Sequence, residues 1–148
     1  MSTTSLPHQY QARASAGPAG DVSLASAGLP VLASAAPADF GGPGDRWSPE
    51  TLLVAGIADC FILTFRAVAA ASKLDWSDLQ CDVQGTLARE EGKTRFTLFH
   101  VSVRLQVLAG VDEARVRLLL QKAKDGCFIA NSLSAHIDFD MDVAFVSA

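Results

Sequence analysis

The sequence predicts an α+β domain, and three observations carry that prediction. Short stretches of partial period-2 alternation open the chain, a long helix with a clear start signal follows, and two longer alternating runs precede an amphipathic helix and a last strand. In chain order that is three strands, a helix, two strands, two helices and a strand. The 148 residues suit one domain spanning 1–148, and a 49% share of hydrophobic residues is enough to fill its core.

Each element has its own local reason. Residues 8–16, HQYQARASA, partly alternate, and DVSLASAG and LPVLASA follow with Gly and Pro punctuation, which reads as three short strands in an antiparallel meander. The loop APADFGGPGDR comes next, too rich in Gly and Pro to belong to a core. Ser48 suits an N-cap, Pro49 fits the first helical position where its missing N–H costs nothing, and Glu50 stands by the positive end of the dipole. The helix runs to about Lys73, and between Leu52 and Phe65 only Asp59 and Thr64 interrupt its apolar and small residues.

LQCDVQGTLARE and TRFTLFHVSVRLQV form a hairpin across Glu91, Gly92 and Lys93, in which Phe96, Leu98, His100, Ser102 and Arg104 alternate with Thr97, Phe99, Val101, Val103 and Leu105. VDEARVRLLLQKAKDG is the second helix, with Asp112 as cap, Val116, Leu119, Leu120 and Ala123 on one face, and Gly126 as stop. CFIANSL gives a short helix and HIDFDMDVAFV the final strand.

Composition excludes several functions. A net charge of −4, a pI near 5.2 and the lack of clustered Lys or Arg argue against a nucleic-acid partner. The start, MSTTSLPHQYQARASA, lacks the basic flank and apolar core of a secretory signal, so a cytoplasmic location is expected. Cys60, Cys81 and Cys127 are odd in number and widely spaced, which argues against a secreted disulfide framework and leaves packing or thiol chemistry. His8, His100 and His136 are scattered without ligand spacing, so no metal is expected.

The apolar helix raises a separate question. Leu52 to Ala71 has the length of a bilayer crossing, but Asp59 and Arg66 are each costly at mid-membrane, which argues against a membrane partner. A helix apolar nearly all round must be covered nearly all round, and a chain this short cannot easily wrap it. Composition alone therefore predicts a homodimer formed through this helix.

FGGPGDRWSPETLLVAGIADCF, followed far downstream by CFIANSL, resembles the OsmC/Ohr family of cysteine-based peroxidases, and the likeness runs from about His8 to Val146. A Gly-Gly loop, a Pro-Glu helix start, a cysteine ten residues after that Glu and a second cysteine four residues before an Asn make the motif. The resemblance implies an intertwined homodimer with two small antiparallel sheets packed around long central helices. It implies that Cys60 is the peroxidatic cysteine, Cys127 the resolving cysteine, and Glu50 the acid that positions a catalytic arginine. The implied substrate is an organic hydroperoxide and the implied reductant an external dithiol of lipoyl type, with no bound cofactor. These residue types suit the chemistry: a thiolate attacks peroxide oxygen well, and the sulfenic acid it becomes must be captured before further oxidation.

Two features qualify the match. Ten residues of straight helix separate Glu50 from Cys60 by about 15 Å, so either a partner chain donates the acid or a long arginine bridges the gap. Cys60 lies too far into its helix for the dipole to activate it, so something cationic must lower its pKa. The family places an arginine in the loop after the first strand, where this chain has ASAGPAGDV; Arg46, beside the helix start, and Arg13, on the first strand, are the substitutes available, and Arg46, nearer the right loop, is the expected catalytic one. Asp59, beside Cys60, would raise the thiol's pKa if it touched it. Asn131 either orients Cys127 or caps the short helix. The competing expectation is a protein of the same fold that binds a small apolar ligand or thiol with little or no turnover.

Overall fold

A computed structural model describes residues 5–147 of the chain. The chain divides into two compact units, Met1–Leu52 and Leu53–Ala148. The architecture is α+β, and the strands and helices come in the order the sequence predicts.

In the first unit, β1 (Arg13–Ser15), β2 (Val22–Ala25) and β3 (Leu32–Ser34) form the expected antiparallel meander in the order β1-β2-β3. Ala14 pairs with Leu24 and Val22 with Ser34, so these four share one face, while Arg13, opposite Ala25, stands on the other. A single 3₁₀ turn at Ala38–Phe40 follows. Its return is tight at Gly42, where an added Cβ would stand 1.6 Å from the Ala36 carbonyl oxygen, so only glycine fits.

Helix α1 (Pro49–Ala71) begins in this unit and continues into the next. Its start is a reciprocal cap. The Thr51 amide donates to Ser48 Oγ at 3.1 Å and the Ser48 amide donates to Thr51 Oγ1 at 2.8 Å, satisfying donors that the helix leaves open. It ends in a Schellman motif: Leu74 N–H donates to Ala69 C=O and Lys73 N–H to Ala70 C=O, with Lys73 at φ 54°.

The second unit holds β4 (Asp78–Glu90), β5 (Lys93–Leu108), α2 (Glu113–Gly126), α3 (Phe128–Asn131) and β6 (His136–Val146). Glu91 and Gly92 both have positive φ, 49° and 78°, which gives the β4–β5 hairpin a two-residue turn whose twist matches its strands. The sheet order is β4-β5-β6. Here the expectation of two antiparallel sheets needs correction, because β6 runs parallel to β5 and the sheet is mixed. A parallel neighbour requires a crossover, and α2 and α3 supply it.

Because β5 is central, its inward residues Phe99, Val101, Val103, Leu105 and Val107 are buried. They form one core with Ile57, Phe61, Phe65 and Ala69, spaced by four along α1, and with Val116, Leu119, Leu120 and Ala123 of α2. Thus α1 is long and apolar enough to cross a membrane, yet this stripe packs inside a protein core. Its remaining apolar side chains are less covered, with Leu63 52% exposed.

Candidate functional site

Cys60 lies halfway along α1, next to the buried Phe61, and is itself half-buried. Cys127 is fully buried at the joint where α2 ends and α3 begins, its backbone extended at φ −72° and ψ 106°. The fold brings these two sequence-distant cysteines together: both thiols are free, and each is near enough to shift the other's ionisation.

Their environments push them apart chemically. Burial pushes the Cys60 thiol up, but the Ile129 amide, the Cys127 thiol, the Thr64 hydroxyl and the Phe128 amide oppose it and hold it below the ordinary thiol value. Thr64 Oγ1 is 3.9 Å from Cys60 Sγ, one turn along the same helix. The two amides belong to the first turn of α3, where N–H groups have no helical acceptor and so are available to sulfur. Cys127 is pushed up to about 11, first by burial and further by Cys60, against the amides of Ala130 and Ile129. Cys81, on β4, is pushed up to about 12 by burial and then by Asp82 and Cys127. Cys60 is therefore the most acidic of the three cysteines, while Cys81 and Cys127 are held as thiols at neutral pH.

Small residues make the approach possible. A Cβ on Gly126 would come within 3.4 Å of the Thr64 methyl, so the end of α2 lies tightly against α1 where Cys127 must meet Cys60. Asn131 does not orient Cys127, since its side-chain amide donates to the Asp125 carbonyl at 3.0 Å. Asp59 is exposed, and His136 pairs with Asp138 at 2.6 Å on the surface. Among the described residues no group of three or more His, Cys, Asp or Glu is disposed to hold a metal ion.

The other two candidates lie in the first unit and are not joined to each other. Arg46 donates to Asp21 at 3.0 Å and stands 3.5 Å from Asp45, two carboxylates that claim its charge. Glu50 has one carboxylate oxygen buried without a hydrogen-bond partner. It faces a cavity of about 610 Å³ lined largely by apolar side chains.

The helix-spacing rule makes Thr64, four residues beyond Cys60, visible in the sequence as a neighbour of that thiol, though not as its donor. The α3 amides leave no sequence signal, because any residue supplies an N–H and only tertiary docking aims it.

Fold and site together define an α+β protein with a paired-thiol site. The chain belongs to the OsmC family: residues 42–142 match the model described as OsmC-like protein. It is 32% identical over 111 residues to the organic hydroperoxide resistance protein of Xanthomonas axonopodis pv. citri (strain 306), covering 73% of this chain and 75% of that one. It is 25% identical over 127 residues to the Uncharacterized protein YmaD of Bacillus subtilis (strain 168), covering 84% and 85%. Among solved structures, an organic hydroperoxide resistance protein OsmC from Legionella pneumophila superposes with a TM-score of 0.71 at 27% identity, over 95% of this chain and 99% of that one.

Proposed function

We propose that this protein is a thiol peroxidase that reduces organic hydroperoxides with Cys60 as attacking thiolate and Cys127 as resolving thiol. The observation that carries the reading is the neighbouring pair, one thiol lowered and the other raised. The organic hydroperoxide resistance proteins among its relatives support the substrate class.

The steps balance as follows. Cys60 thiolate attacks the terminal peroxide oxygen, the O–O bond breaks, and the alkoxide takes a proton from solvent to leave as an alcohol. Cys60 is now a sulfenic acid. Cys127 attacks that sulfur, a disulfide forms and water departs. Part of what raises Cys127 is the neighbouring Cys60 thiolate, and oxidation removes that negative charge. Cys127 thus becomes easier to deprotonate when its thiolate is needed. An external dithiol reduces the disulfide by exchange and is itself oxidised. No resident cofactor enters.

After one equivalent of an organic hydroperoxide, peptide mapping is expected to find a Cys60–Cys127 disulfide with Cys81 still reduced. A bond that includes Cys81 overturns the assignment, because burial holds that thiol protonated at neutral pH.

The apolar side chains of α1 left open, Leu63 among them, support assembly as a homodimer. Light scattering at micromolar concentration is expected to give twice 15.6 kDa. A monomeric mass removes the dimer.

A further inference from the structure

The two thiols of the site differ in access as well as in acidity. Cys127 is fully buried, while the next residue, Phe128, is 77% exposed, so the chain surfaces just beyond the cysteine and turns the cysteine itself inward. Its carbonyl accepts from the Asn131 amide at 2.9 Å, and its neighbour Gly126 lies against the Thr64 methyl of α1. No surface of Cys127 is open. Cys60 is only half-buried.

A thiolate cleaves a disulfide in line, entering the attacked sulfur from the side away from the leaving one, so access to each sulfur decides as much as leaving-group strength. Leaving-group strength favours attack on Cys127, because Cys60 is the more acidic thiol and departs more readily. Access favours attack on Cys60. Access prevails, since a poor leaving group only slows exchange, whereas a sulfur without open surface is reached only when the core around it opens. The peroxide reaction itself also requires a path to Cys60.

We propose that the external dithiol attacks the Cys60 sulfur of the Cys60–Cys127 disulfide and expels Cys127. This inference deepens the peroxidase reading and rests on it for the disulfide. One thiolate of the reductant bonds to Cys60 Sγ, the Cys60–Cys127 bond breaks, and its electron pair leaves on Cys127, which takes a proton. The second thiol of the reductant, as thiolate, then attacks the reductant sulfur held on Cys60, closing a cyclic disulfide and releasing Cys60 as thiolate. The protein gains the electron pair that the dithiol loses. With its thiol pushed up to about 11, the departed Cys127 stays protonated at neutral pH and is slow to re-attack, so the ring closes first.

A monothiol cannot close that ring, so it marks the attacked sulfur. The Cys60–Cys127 disulfide is prepared in one sample with an organic hydroperoxide and in another with diamide, confirmed by peptide mapping, and exposed at neutral pH to excess 2-mercaptoethanol. Samples quenched in acid at early times are mapped again. The 2-mercaptoethanol adduct is expected on Cys60 over Cys127 by about tenfold or more. An adduct mainly on Cys127, an even division, or reduction without any adduct on Cys60 overturns the proposal. Diamide joins neighbouring thiols without a peroxide, so that sample reads the attacked sulfur even where hydroperoxide makes no disulfide, and the two failures stay distinct. If diamide also makes no Cys60–Cys127 bond, the proposal falls.

Discussion

Cys60→Ser is expected to lower consumption of an organic hydroperoxide, in the presence of a dithiol, by about a thousandfold or more. A serine hydroxyl keeps the volume but is not ionised at neutral pH, so no nucleophile remains at that point of α1. Cys127→Ser is expected to behave differently. It should retain the first, stoichiometric reduction of peroxide, because Cys60 still attacks, and then stall or proceed to irreversible oxidation, because no thiol lies opposite the sulfenic acid. Rapid mixing with one equivalent of peroxide separates the two variants: a burst without turnover for Cys127→Ser, and neither for Cys60→Ser. Equal loss of the burst in both would remove the division of roles.

The pH dependence follows from the same geometry. A thiol held below its ordinary value reaches full thiolate at lower pH, so the wild-type burst rate should level off on the acid side of the free-thiol range near 8.5. Thr64→Val removes one of the groups that lower Cys60, and the rising limb should then move to higher pH while the alkaline plateau is kept. A plateau that falls without any movement along the pH axis would mean that Thr64 acts on packing alone.

How much of this was legible in the sequence depends on how local each cause is. The α1 start was legible because the cap lies within Ser48 to Thr51, and the core face of α2 because Val116, Leu119, Leu120 and Ala123 repeat at helical spacing. The strands of the hairpin alternate and were placed within two residues. The direction of β6 was not legible, since alternation gives the two faces of a strand but not the sense of its neighbour. The cysteine pairing came from resemblance, and the fold brings those thiols together. The expectation that a side-chain cation must activate Cys60 missed the amides of Phe128 and Ile129, which are backbone groups and carry no sequence mark. That expectation pointed to Arg46, which the structure gives to Asp21 and Asp45.

The second large effect is on stability. Phe61→Ala is expected to cost about 3–5 kcal/mol, out of the 5–15 kcal/mol typical of a domain. Phe61 is fully buried and meets the Phe139 ring at 5.9 Å, so truncation forfeits both the burial of a large side chain and contacts that close packing cannot restore. It follows Cys60 directly in α1, so relaxation around the void also threatens the approach of the two thiols. Urea denaturation of the reduced protein should show a lower midpoint at unchanged slope, which reports lost stability rather than a changed unfolded state. Leu63→Ala is the informative comparison, because Leu63 lies on the open side of the same helix. In a lone chain that substitution should stay within about 0.5 kcal/mol. If a second copy covers this side of α1, Leu63→Ala should cost more, and its midpoint should rise with protein concentration as mass action requires. A Phe61→Ala midpoint equal to wild type would mean that this core does not hold α1 in place, and the positioning of Cys60 would need another cause.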